Sequence, residues 1–278
     1  MRHTRIIQAL TGITVAAGGV VMFTPAAQAA TIPVACGQNA LVAAVNLANS
    51  TSAADTLRLA SGCTYRMTVP HGGLANALPV ITTPIEMIGP ATVTRSSLLL
   101  FRIAEVSRTG KLTLTTSVKF TNGSAVGNGG AILNRGAVTL TVSSLTGNTA
   151  TGNGGGLANA DTPSGTAPAA TFTGSTVTGN AATLSGGGIY NGQNGTLTTT
   201  GLPMFIIGNT AVVNGGGIAA VNSTATTLTG STVTNNTAVL GGGVYRLNGT
   251  MTTTNSPISA NLVNNCVGSA PAVPNCTG

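Results

Sequence analysis

A glycine triplet or its near equivalent recurs five times, as NGGAIL (128–133), NGGGLA (153–158), SGGGIY (185–190), NGGGIA (214–219) and LGGGVY (240–245). Shortly before each stands an asparagine, and a sixth follows the last triplet: Asn122, Asn148, Asn180, Asn209, Asn236 and Asn261, at steps of 26, 32, 29, 27 and 25 residues. A period in this window, with one strand-rich unit per repeat, marks a solenoid whose units bury an apolar face only by stacking on one another. With 5% charged residues and 39 glycines the chain has a composition that disorder would also permit, but disordered chains lack a strict pattern of Val, Ile and Thr. Order is the reading that fits both.

Indexing each unit on its asparagine exposes further columns. Ten and eight residues earlier the positions are mostly apolar (Leu112 and Leu114, Val138 and Leu140, Ala170 and Phe172), and three earlier they are Leu145, Val177, Ile206, Val233 and Ile258, a column that Lys119 breaks. Interleaved with these are threonines: Thr113 and Thr115, Thr139 and Thr141, Thr171 and Thr173, Thr227 and Thr229, Thr252 and Thr254. Such alternation predicts strands with the apolar side inward and a Thr-x-Thr array outward. Stacked at the strand spacing of about 4.8 Å, the asparagine amides can each donate to one neighbour and accept from the other, which satisfies polar groups buried at a turn. The triplets mark the opposite turn, where positive φ or close backbone approach excludes a Cβ.

Arg2 and Arg5, an apolar run from Ile6 to Phe23 and the small-x-small pattern Ala27-Gln28-Ala29 predict a signal peptide over 1–29. The mature chain, 30–278, then reads as a single domain: a cap and first coil (30–69), irregular coils (70–110), regular repeats (111–265) and a tail (266–278). No second long apolar run follows, so no membrane span is expected after cleavage. Within the cap, Leu41, Ala44, Val45 and Ala48 share a helical face and Asn39 is the expected N-cap; this helix would close the open end of the stack. Cys36, Cys63, Cys266 and Cys276 allow three connectivities. Because a solenoid holds its ends apart, Cys36–Cys63 and Cys266–Cys276 are the expected bridges. His71 is the one histidine of the mature chain, so neither a zinc site nor any other metal or cofactor is expected.

The strings GNGGGLAN, SGGGIYN, STVTGNAA and STVTNNTA resemble the repeats of polymorphic outer-membrane proteins and related secreted right-handed parallel β-helices of the pectin-lyase-like fold. The stretch from Cys36 through LVAAVNLAN, DTLRLASGCTYRMT, LPVIT and FRI is similar to the opening of bacterial secreted members of that group, so the resemblance spans nearly the whole mature chain. It implies an all-β, right-handed parallel β-helix of about nine coils with an N-terminal capping helix, located outside the cell. It also raises polysaccharide lyase and glycosidase activities, which must be sought in residues because fold does not carry function. The thirteen residues after Asn265 are too few for the outer-membrane translocator barrel.

Glycosidases place two carboxylates about the scissile bond, whereas Asp55, Glu86, Glu105 and Asp161 are scattered over different coils. A calcium-dependent lyase needs an acidic cluster that the sequence lacks, although Arg95 and Arg102 could serve as its basic residue or bind an anionic polymer. Eight basic and three acidic residues lie between Ala30 and Arg135, so the charge excess is N-terminal. Nucleic acid is not expected, since no aromatic platform accompanies those cations. Tyr190 and Tyr245 follow their triplets at equivalent places and could stack sugar rings. The Thr-x-Thr columns resemble the hydroxyl and methyl arrays of ice-binding solenoids. The expected function is therefore a non-catalytic surface, adhesion or polysaccharide-binding protein, with a polysaccharide-active enzyme second and ice binding third.

Overall fold

Short strands rich in Val, Ile and Thr, many of them followed by a residue in the left-handed region, leave the chain one way to hide its apolar side: coil after coil in parallel register. The computed structural model describes residues 28–73, 75–160 and 167–278, so residues 1–27 of the leader expected over 1–29, and Asp161, lie outside it. It is a parallel β-solenoid. One sheet of nine strands and one of eight run its length, and sheets of six and four strands close the cross-section. The eight-stranded sheet counts eight turns where about nine were expected.

The nine-stranded sheet starts at Thr31–Val34 and ends at Thr250–Thr254, and each strand pairs in parallel with the next coil, as in Val138↔Ala170 and Leu140↔Phe172. Its inward residues, among them Leu112, Leu140, Phe172 and Leu228, are fully buried with Phe120, Ile189 and Val244 from the other sheets. Three inward positions carry threonine instead, and each has a partner. Thr199 bonds the Ser231 hydroxyl (2.6 Å), Thr226 accepts from the Asn191 amide (2.9 Å) and Thr253 donates to the Pro274 carbonyl (2.7 Å).

A 12-residue helix, Gln38–Asn49, covers the first coil with Leu41, Ala44, Val45 and Ala48. Its N-cap is Gly37, which offers no side-chain cap bond, and not Asn39. Tethering comes instead from Gln38 Oε1, which accepts from the Thr68 amide (2.7 Å), and from Asn49 Nδ2, which donates to the Val80 carbonyl (2.8 Å). Cys36–Cys63 and Cys266–Cys276 are bonded as the end-separation argument required, with Cα atoms 5.7 and 6.4 Å apart.

The asparagine ladder is present with one correction. Nδ2 of Asn148, Asn180, Asn209 and Asn236 donates to Oδ1 of the next asparagine, at 2.9 to 3.0 Å, and Asn261 closes on Asn265 at 3.0 Å. Asn122 is not a rung. It is exposed, with φ of 56°, and its amide reaches Thr94. The rung position in that coil is Gly123, whose N–H donates to Asn148 Oδ1 at 2.8 Å. In later coils the residue before the rung is Gly147, Gly179, Gly208, Asn235 or Ala260, all with positive φ, so Asn122 occupies the turn position that glycine usually holds. The first regular coil also carries one extra residue at its preceding turn: Leu114 pairs with Leu140, but Lys119 pairs with Ser144. Correct register puts buried Phe120 opposite Leu145 and turns Lys119 to solvent, so the apolar column is unbroken.

The triplet around Gly187 shows why three glycines are needed together. Gly186 has φ of 70°, a Cβ on Gly187 would lie 2.4 Å from the Thr210 carbonyl oxygen, and one on Gly188 would lie 3.0 Å from the Asn209 carboxamide carbon. The first glycine makes the turn, the second allows coils to touch and the third makes room for the ladder.

Candidate functional site

The broadest regular feature of the surface is the outer side of the nine-stranded sheet. One outward column runs Thr31, Thr56, Glu86, Thr113, Thr139, Thr171, Thr198, Thr227, Thr252, in register strand by strand. Thr198 fills the coil in which the sequence columns had a gap. A second column two residues on contains Thr115, Thr141, Thr173, Thr229 and Thr254. Neighbours within a column are about 4.8 Å apart and the columns about 6.7 Å, the two repeats of a pleated sheet. From Thr113 onward these two columns carry no charge and no aromatic ring. Beside them the third outward column begins at exposed Lys111 and continues through Ala137, Ala169, Thr196, Ala225 and Thr250. The Thr252 hydroxyl bonds that of Thr227 at 3.4 Å, whereas among the described residues the hydroxyls of Thr139, Thr171 and Thr198 have no partner. The face thus presents hydroxyls and methyls in a two-dimensional lattice.

Other candidates are placed less openly. Arg95 lines a surface depression of about 600 Å³ with Ser96, Ser97, Leu98, Asn122 and Thr149. Its guanidinium is committed to carbonyl oxygens of Asn122, Ser97 and Leu99 and sits 5.9 Å from the Phe101 ring centre. This arrangement supports the loop that carries Leu98, Leu99 and Leu100 into solvent. Arg102 is buried: Nη1 donates to Asn76 Oδ1 (2.6 Å) and pairs with Glu105 (3.4 Å), Nη2 donates to the Asn128 carbonyl, and Arg135 pairs with Glu105 from the other side. Desolvation lowers the pKa of Arg102, Glu105 opposes that effect and Arg135 adds to it. The cluster is a satisfied ion-pair network apart from Arg102 Nε, which is left without a partner.

Tyr190 and Tyr245 do share a column, separated by Ala219. Neither offers an open platform, however. Tyr245 is 8% exposed and Tyr190 is half-buried, its ring lying over Gly192, where a Cβ would come within 2.5 Å of Cε1. Burial raises the Tyr190 pKa above 10.0.

Two carboxylates, Asp55 and Glu86, line one shallow depression with Lys111 and Thr113. Asp55 is buried and holds the Ala30 amide and the Thr51 hydroxyl, while Glu86 accepts from Thr115 (3.3 Å). Among the described residues no group of three or more His, Cys, Asp or Glu could hold a metal.

A second ladder escaped the sequence reading. Asn134, Asn159 and Asn191 are fully buried and bonded in series at 2.7 and 2.8 Å. Its signal was the asparagine that ends ILN, LAN and IYN after successive triplets. No family model, curated protein or solved structure matches the chain.

Proposed function

We propose that the protein is a non-catalytic binding protein of the cell exterior, built on a right-handed pectin-lyase-like β-helix, that holds an ordered polysaccharide surface against its threonine face. One observation carries the reading: the first threonine column repeats in register over six coils, Thr113 to Thr252, and the second accompanies it in five of them, with no charge in either. A small molecule is held by a concave, mostly apolar pocket, whereas a lattice of exposed hydroxyls and methyls complements a partner that repeats as well. Two disulfides support an oxidising compartment, and no described helix is long and apolar enough to cross a membrane.

Ice is the second reading, and the absence of an aromatic ring from the two columns favours it, because sugar rings are commonly held by stacking. Co-sedimentation with crystalline cellulose and chitin, beside a thermal-hysteresis assay, separates the two. The Thr139→Lys/Thr198→Lys double variant puts ammonium groups in mid-face at half-buried, outward-facing positions whose hydroxyls have no partner among the described residues, and it should lose binding at least tenfold. Equal retention of variant and wild type, or no retention of either, would refute polysaccharide binding through this face. Ice shaping by the wild type without polymer retention would put the second reading in its place.

A further inference from the structure

At the head of the first strand the Ala30 backbone nitrogen donates to Asp55 Oδ1 at 2.7 Å, and the Thr51 hydroxyl donates to Oδ2 at 3.1 Å. Asp55 is 2% exposed. While a peptide bond joins Ala29 to Ala30, the carboxylate is thus withdrawn from water and held by two neutral donors. A cationic donor would hold the carboxylate more strongly than these neutral ones do.

Among the described residues the surrounding elements bring no cation to Asp55. The helix packed against this end, Gln38–Asn49, carries no charged residue. Arg58, on the strand of Asp55, is exposed on the opposite side of the sheet. Glu86 shares the depression but has the same sign, and Lys111 belongs to the second strand over, in register with Pro84.

We infer that cleavage of the leader between Ala29 and Ala30 creates the partner of Asp55: the new α-ammonium of Ala30 forms an ion pair with the buried carboxylate and clamps the first strand to the stack. This inference rests on the signal-peptide reading. Hydrolysis of the Ala29–Ala30 bond adds one water, the leader departs as a carboxylate, and the amine left on Ala30 takes up a proton. The small-x-small pattern Ala27-Gln28-Ala29 ends at that bond. Gln28, Ala29 and Ala30 are exposed, while the Thr56 amide donates to the Ala30 carbonyl at 2.8 Å and fixes its far side. Strand pairing from Thr31↔Thr56 onward sets the nitrogen at bonding distance. A cut one residue later would remove the group altogether, so the geometry selects a single position. Processing thereby completes the capped end of the solenoid.

The test has two independent arms. N-terminal sequencing of the protein secreted by a bacterial host should give Ala30; a retained leader or another start overturns the cleavage. Separately, a chain whose N-terminus is set at Ala30 by proteolytic removal of a fusion is compared with the same chain acetylated at its α-amine and with Asp55→Asn. Pairing raises the α-ammonium pKa above its usual range of about 7.7–8.0, so acylation at a fixed neutral pH should slow about tenfold for each unit by which that pKa rises, and Asp55→Asn should restore the ordinary rate. The free-amine chain should also melt at a higher temperature than the acetylated one. That difference is fully present below the unfolded-state pKa and is lost as pH rises through the higher folded-state pKa. An α-amine that reacts at the ordinary rate, or equal melting of the two chains, overturns the ion pair and leaves the cleavage standing. Should Asp55→Asn not fold, the comparison of free and acetylated chains decides alone.

Discussion

Replacing Asn180 by alanine measures what one rung contributes. Its carboxamide makes four hydrogen bonds: Nδ2 donates to the Leu145 carbonyl (3.0 Å) and to Asn209 Oδ1 (2.9 Å), while Oδ1 accepts from the Asn148 backbone amide and from Asn148 Nδ2, both at 2.9 Å. The Asn209 oxygen keeps the Asn180 backbone amide and the Leu145 carbonyl keeps its place in the strand pair with Val177, so two groups are orphaned: the Asn148 backbone N–H and one Asn148 side-chain N–H. Both are buried, and at about 1 to 1.5 kcal/mol for each the variant should be destabilised by about 2 to 3 kcal/mol. Asn122→Gly is the matched control. It removes an exposed amide from a left-handed position that glycine accepts at no steric cost, so its effect should stay within about 0.5 kcal/mol. Urea unfolding of both variants, followed by circular dichroism and analysed for midpoint and slope, reads the difference. Asn180→Ala within about 1 kcal/mol of wild type, or an equal loss for Asn122→Gly, would refute the bonding scheme.

Further outcomes are expected at other positions. Gly187→Ala should fail to fold or lose more than about 3 kcal/mol, since its Cβ meets backbone carbonyls within 2.5 Å, whereas Gly179→Ala, with open space and only a positive φ, should lose about 1 to 2 kcal/mol by thermal melting. Opening Cys36–Cys63 by a double serine substitution should lower stability by about 3 kcal/mol, read from urea midpoints with and without reductant. Burial raises the phenol pKa of both Tyr65 and Tyr190, so their ultraviolet titration should lag behind that of free tyrosine. Because the unfolded phenols lose protons first, stability should fall as pH climbs past 10.0, and melting curves would show it. Incubation with polygalacturonate and calcium should produce no absorbance from a new double bond; a rise that vanishes on changing Arg95 would establish lyase activity.

Much of this architecture is legible because its units are redundant. Asparagine, glycine and threonine each answer one local demand, and repetition makes the demand visible without any alignment of homologues. Errors arose where a coil departs from its neighbours. The order Asn122-Gly123 inverts the Gly-Asn of later coils, and an extra residue around Thr116 and Ser117 shifts the frame, so indexing on asparagine slipped by one. The second ladder was equally regular but hidden by the triplets beside it. Burial of Tyr190 and Tyr245 depends on what the next turn lays over each ring, and single-coil patterns do not encode that. The same holds for Asp55, whose partner Ala30 lies 25 residues away.

Every rung from Asn148 to Asn236 points the same way, donating to the coil that follows and accepting from the coil that precedes it. A gene duplication that inserted one more such coil between Asn180 and Asn209 would add one donor and one acceptor and orphan neither. The ends are different: Gly123 opens the series with a bare backbone amide, and Asn265 closes it while bonding the carbonyls of Thr277 and Gly278. Rod length is thus free to drift over generations while the two termini stay fixed, and with it the extent of the threonine face.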